Sequence, residues 1–287
     1  MKLAIMLTAA ACGHSGGGVL VDGASGEDGS VDAAPVASRC TVTDDRAECS
    51  SHATTVTGLA VPRTVTFEVP LGTPPAAGWP TVVFFQGTSV PGSQAFAADS
   101  TATFGQYQLT RTIKALLDDG YAVVAPDALG DGTTAWETNI PPWSVTWTTS
   151  SDHLMMLALF ETIASGQLGT LDADRLYAMG ISSGGFMTSR MAVSYPGRFR
   201  ALAVHSGSYA TCSSTCTLPA TLPTDHPPTL FLHGEADTVM PIGAMLPYRD
   251  QLATMGIAVS SDIDPVAGHE WIAGGIASVP AWFAQYP

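Results

Sequence analysis

The stretch Arg175-Leu-Tyr-Ala-Met-Gly-Ile-Ser-Ser-Gly-Gly-Phe-Met187 decides how the rest of the chain is read. Arg175 to Met179 has the nearly continuous apolar character of a strand buried on both faces. Gly180-Ile181-Ser182-Ser183-Gly184 follows, and a helical pattern then runs from Ser183 to Tyr195. A Gly-x-Ser-x-Gly between strand and helix predicts a turn so tight that the serine adopts a strained backbone conformation and its neighbours have no room for a Cβ. Such a turn lifts the Ser182 hydroxyl above the carboxyl end of a sheet. It also aims the positive end of the helix dipole at any oxyanion forming beside it. Ser182 is therefore the candidate nucleophile.

Working outward, strand-length apolar runs recur at Val65–Val69, Thr81–Phe85, Ala122–Ala125, Ala201–His205, Thr229–His233 and Val259–Asp264. Helical patterns lie between them at Gln106–Asp118, Asp152–Ser165, Ile242–Met255 and near Ile276–Ala284. Alternation of this kind predicts an α/β fold with a mostly parallel central sheet and helices on both faces. The irregular segment Gly130–Ser151 holds Pro141-Pro142 and three tryptophans. A connection that long in a compact domain is more often functional than idle.

A serine hydroxyl needs a histidine to take its proton and an acid to orient that histidine. After a strand-turn-helix serine of this type the partners follow in the order acid, then histidine. Of seven histidines, His14, His52, His153 and His205 precede the serine or lie too close to it, His226 sits in a Pro-rich turn and His233 ends a strand. His269, in Gly268-His269-Glu270-Trp271 after the last expected strand, is the candidate base. Asp237 follows the 229–233 strand and is the candidate acid, with Glu235, Asp262 and Asp264 as rivals. Backbone N–H groups of Ser183 and of Thr88, in the loop after Thr81–Phe85, are the candidate oxyanion donors, Ser89 being the alternative to Thr88.

Three blocks carry a family likeness: Asp174 through Phe199, Phe231-Leu-His-Gly-Glu-Ala-Asp237 and Gly-His-Glu-Trp271. They resemble the secreted α/β-hydrolase esterases related to poly(hydroxybutyrate) depolymerases and feruloyl esterases, over roughly Val65 to Pro287. The resemblance implies an α/β-hydrolase fold and ester hydrolysis through an acyl-enzyme, without cofactor or metal. Gln86 departs from it, since such enzymes usually have His there. Trp143, Trp147, Phe186 and Trp271 offer aromatic surface for a neutral substrate, the blander account being buried structural aromatics. The expected substrate is a polyester of the poly(hydroxybutyrate) or poly(ethylene terephthalate) type. Feruloyl or acetylxylan esters are the alternative, and a serine peptidase or a non-catalytic surface lipoprotein are rivals of other classes.

Composition narrows the field. The 287 residues are 46% hydrophobic and carry 11 Lys plus Arg against 25 Asp plus Glu, a net charge of −14. Only Lys2 and Lys114 are lysines, so a phosphate-binding face is not expected and neither is a nucleic-acid partner. Residues 1–12, MKLAIMLTAAAC, have the outline of a signal segment ending at a lipidatable Cys12; plain secretory cleavage nearby and a buried first strand are the other readings. Residues 13–38, rich in Gly, Ser and Asp, read as a tether, and 39–287 as the catalytic domain. The expectation is a secreted protein, or an outer-surface or periplasmic lipoprotein, of a bacterium. It is expected to be monomeric, touching membrane only through the lipid. With export, Cys40–Cys49 and Cys212–Cys216 are expected as disulfides. A zinc site is the competing reading, although neither couple has CxxC spacing.

Overall fold

A computed structural model describes residues 37–212 and 217–287. The expected signal segment, Cys12, nearly all of the tether and Cys216 lie outside the described residues. Chain contacts define residues 37–287 as one compact unit.

The described chain begins with β1 (Cys40–Val42), β2 (Arg46–Cys49) and β3 (His52–Val56), none of which is an apolar run. β1 and β2 form an antiparallel hairpin in which Cys40 lies opposite Cys49, and the two are joined by a disulfide. There follow β4 (Arg63–Glu68), β5 (Trp79–Phe85), β6 (Ala97–Asp99), α1 (Gln106–Asp118), β7 (Ala122–Pro126), α2 (Ser151–Ala164), β8 (Leu171–Ile181), α3 (Ser183–Ser194) and β9 (Phe199–His205). The chain closes with β10 (Thr229–Gly234), α4 (Leu246–Thr254), β11 (Val259–Asp264) and α5 (Gly275–Phe283).

The central sheet has the order β11-β10-β9-β8-β5-β7-β4-β3, and β1-β2-β6 form a separate small sheet. From β7 to β11 every pairing is parallel, while β4 and β3 add antiparallel strands at one edge. Side chains alternate along β5: Val82 and Phe84 join the core beneath α1 and α5, and Val83 and Phe85 join the core beneath α2 and α3. Period-two alternation with both faces apolar is what a doubly covered sheet requires.

α2 begins at the N-cap Ser150, whose hydroxyl accepts the His153 N–H at 3.0 Å. The buried pair Arg63–Asp152, 2.9 Å apart, ties that helix to the antiparallel edge. Asp152 also accepts the Glu137 N–H at 2.6 Å. Gly130–Ser151 is thus anchored by buried polar contacts, which a desolvated charge needs. Cys212 is disulfide-bonded too. Among the described residues no helix is long and apolar enough to cross a membrane.

Candidate active site

Parallel strands place their following loops at one end of the sheet. Ser182 follows β8, Asp237 follows β10, His269 follows β11, and Gly87-Thr88 follow β5. Ser182 has φ 58° and ψ −122°. That conformation is strained for a residue with a side chain. A Cβ on Gly184 would run into the Phe85 and Gln86 carbonyls, and one on Gly180 would meet the Phe85 oxygen at 2.6 Å. Both glycines are therefore demanded by the close approach of β5. The Ser182 N–H donates to the His205 carbonyl at 3.0 Å, which fixes the turn from behind.

His269 Nδ1 donates to Asp237 Oδ2 at 2.7 Å. The other Asp237 oxygen accepts the N–H groups of Val239 and Met240 at 2.9 and 2.8 Å. Burial pushes the Asp237 carboxyl up, but the Met240 N–H and the His269 hydrogen bond outweigh it and hold the group below the usual carboxylate range. An ionised acceptor places the imidazole proton on Nδ1 and leaves Nε2 with its lone pair. Of the four acids considered, Asp237 alone hydrogen-bonds His269 among the described residues. Glu235 is exposed, and the Asp264 carboxylate instead accepts the Val266 and Ala267 N–H groups.

Ser182 and His269 line one cavity of about 380 Å³ together with Gly87 and Thr88. Its remaining wall is mostly apolar: Phe84, Val90, Phe104, Leu109, Ile181 and Val239. Behind it, the Trp136 N–H donates to Ser183 Oγ at 2.8 Å, and its indole N–H to the Gln86 carbonyl at 3.0 Å. The Gln86 amide nitrogen donates to Pro126 O and its oxygen accepts from Ala128 N, each at 3.0 Å. Gln86 therefore braces the loop carrying Thr88. Ser89, the alternative donor, has φ 69° in that loop. Among the described residues no group of three His, Cys, Asp or Glu is arranged to hold a metal.

The aromatic rim expected from sequence needs correction. Trp147, Phe186 and Trp271 are all buried. Trp147 lies under the Arg190 guanidinium and donates to the Tyr195 hydroxyl at 3.2 Å. Phe186 packs with Tyr209 and Phe231 in a third apolar cluster. Trp271 donates to Thr112 Oγ1 at 3.0 Å and stacks on His205, so it supports the His269 loop from below. Trp143 is half-buried and does not line the cavity. The lining is instead aliphatic plus Phe84 and Phe104. Sequence reasoning missed Val239 and Phe104; the signals that could have found them are a position two residues after the acid and one just before α1.

Comparison with known proteins bears on this arrangement. A family model described as the prolyl oligopeptidase family matches residues 107–221, less than half of the chain. The chain is 48% identical over 241 residues to the poly(3-hydroxyoctanoate) depolymerase of Pseudomonas fluorescens, covering 83% of this chain and 86% of that protein. It is 33% identical over 97 residues to feruloyl esterase B of Thermothelomyces thermophilus, covering 34% and 32% of the two chains. A putative dienelactone hydrolase structure from Klebsiella pneumoniae matches with TM-score 0.56 at 20% identity, covering 83% of this chain and 99% of that one. The last match speaks to the fold alone, and it agrees with the doubly covered, mostly parallel sheet. The chain belongs to the α/β-hydrolase family of poly(3-hydroxyoctanoate) depolymerase and, with it, to the carboxylic ester hydrolases.

Proposed function

We propose that the protein is a serine esterase that depolymerises aliphatic poly(3-hydroxyalkanoates) of medium side-chain length. The observation that supports this most is the joining of Ser182 and His269 in a cavity whose wall is otherwise mostly apolar. In this reading Ser182 Oγ attacks the ester carbonyl as His269 Nε2 takes its proton, and Asp237 stabilises the imidazolium that results. The N–H groups of Ser183 and Thr88 receive the oxyanion. The alcohol end of the polymer leaves with the proton from His269, and water cleaves the acyl-enzyme by the same steps. The alkyl branch of the hydroxyacid occupies the apolar wall. Four extra CH₂ groups beyond a methyl branch are worth about 3 kcal/mol of burial, on the order of a hundredfold in kcat/KM.

The Pseudomonas fluorescens relative, named for poly(3-hydroxyoctanoate), supports the same branch length. Export, with Cys12 lipidated, belongs to the proposal too, as a spacer-borne surface enzyme suits an insoluble substrate. Poly(3-hydroxyoctanoate), poly(hydroxybutyrate), poly(ethylene terephthalate), methyl ferulate and a peptide substrate, assayed in parallel, test the reading. Fastest turnover is expected on poly(3-hydroxyoctanoate). Preferred turnover of methyl ferulate or of the peptide would overturn it.

A further inference from the structure

His233 stands near the end of β10, shortly before Asp237, and the chemistry above does not use it. Its side chain is fully buried. Nε2 lies 2.7 Å from the Met240 carbonyl oxygen. A carbonyl oxygen can only accept, so the ring proton is on Nε2 and the imidazole donates it there. Nδ1 is buried and, among the described residues, has no hydrogen-bond partner. Burial outweighs both the Met240 carbonyl and the Asp237 charge, holding the ring below its ordinary value and neutral. A leucine would fill this place without leaving a buried nitrogen unpaired. What the imidazole adds is the proton on Nε2.

That proton holds the turn that carries the acid. Met240 is gripped at both ends: its carbonyl accepts from His233, and its N–H donates to Asp237 Oδ1 at 2.8 Å, beside the Val239 N–H at 2.9 Å. Pro241 follows and restricts the Met240 backbone between the two grips. The first half of the turn has other anchors. The Glu235 N–H donates to Asp264 O at 2.8 Å and the Ala236 N–H to Ala267 O at 3.1 Å. The second half has little packing to hold it, since Val239 is exposed at the cavity mouth. His233 Nε2 is 3.7 Å from Asp237 Oδ2, beyond hydrogen-bond reach. Its grip on the carboxylate therefore runs through the Met240 backbone.

We propose that His233 is a positioning residue, whose hydrogen bond to the Met240 carbonyl locks the 237–240 turn so that the Val239 and Met240 N–H groups hold Asp237 Oδ1 and Oδ2 is left facing His269. The proposal rests on the reading of Ser182, His269 and Asp237 as a triad. Without the lock the two N–H groups lose their aim, the carboxylate is free to rotate, and His269 loses the fixed acceptor that orients its ring. The effect reaches the base only through Asp237. That route separates positioning from a general loosening of the fold, which would act whether or not a carboxylate were present.

The test measures kcat and KM on p-nitrophenyl octanoate, with kcat counted per serine labelled to completion by excess octyl fluorophosphonate, so that unfolded protein does not enter the rate. His233→Leu is expected to lower kcat about tenfold while KM stays within about twofold. His233→Gln, whose amide reaches the place of Nε2 and can donate to Met240, should recover most of that loss. His233→Asn, whose amide falls at the place of Nδ1 and stops short of Met240, should not. In an Asp237→Asn background His233→Leu should change kcat less than about twofold, because the carboxylate it acts through is gone. Wild-type kcat in His233→Leu overturns the proposal. So does a loss in the Asp237→Asn background as large as in wild type. If His233→Leu does not fold, the other pair decides, and equal kcat in His233→Gln and His233→Asn overturns it. An active Ser182→Ala, or wild-type kcat in Asp237→Asn, would instead overturn the triad reading beneath it.

Discussion

His269 Nδ1 stands 2.7 Å from Asp237 Oδ2, and the opposite carboxylate oxygen is already occupied by two backbone N–H groups. That division of labour makes Asp237→Asn informative. The amide oxygen would keep the Val239 and Met240 N–H groups, so the NH₂ would face His269 and drive the imidazole proton onto Nε2. The base would then have no lone pair toward Ser182. We expect kcat on p-nitrophenyl octanoate to fall by roughly 10⁴ with the melting temperature little changed. A loss below tenfold would place the orienting acid elsewhere.

Phe104 and Val239 are exposed apolar members of the cavity wall. Phe104→Ala and Val239→Ser should each lower kcat/KM for octanoate esters about tenfold relative to acetate esters, because one to two kcal/mol of apolar contact is withdrawn from the long chain only. Equal loss on both esters would show that these side chains do not contact the acyl branch.

The parts of the fold carried by β8, α3 and the other long elements were legible because buried strands and helices write their period into the sequence. Val259–Asp264 and Gln106–Asp118 have the bounds expected from that period. β1, β2, β3 and β6 were not legible. Each has three to five residues, with largely exposed or alternating side chains and no apolar run. Ser182, Asp237 and His269 came from chain order, and the structure brings all three to one end of the sheet. The aromatic rim failed for a different reason. Composition identifies a tryptophan but not which way it faces, and Trp271 and Trp147 face inward because Thr112 and Tyr195 take their indole protons. His205 looked idle in sequence, since its neighbours Ile272 and Trp271 are brought to it only by the fold.

Acid should destabilise the fold through its buried histidines. Burial lowers His226 to about 4, where Nδ1 donates to Pro227 O and Nε2 meets the Tyr248 hydroxyl. Burial also lowers His153 and His233. The unfolded chain binds these protons near pH 6.5 and the native state does not, so stability falls as pH drops from about 6.5 towards 4. His226 alone contributes a loss on the order of 3 kcal/mol over that window. Asp237, held low, adds its own loss only below the ordinary carboxylate range. Melting temperature against pH should therefore slope downward below 6.5, with a shallower slope in His226→Gln. An unchanged slope in that variant would assign the effect to other groups.

The Cys40–Cys49 bridge closes a short loop, with a sequence separation of 9, in the small sheet away from the cavity. Removing it in Cys40→Ala/Cys49→Ala, which leaves the Cys212 disulfide in place, should cost roughly 2–3 kcal/mol of stability by loop-closure entropy. Ester turnover at 25 °C should be unaffected. A melting temperature for that double variant equal to wild type would contradict this.

Covalent labelling tests the central claim most directly. The enzyme would be treated with one equivalent of an octyl fluorophosphonate, and the adduct located by peptide mass spectrometry while residual esterase activity is followed. A single adduct on Ser182, rising in step with loss of activity and absent from Ser182→Ala and strongly slowed in Asp237→Asn, is predicted. Full inactivation with the adduct on another residue, or an active Ser182→Ala enzyme, would contradict it.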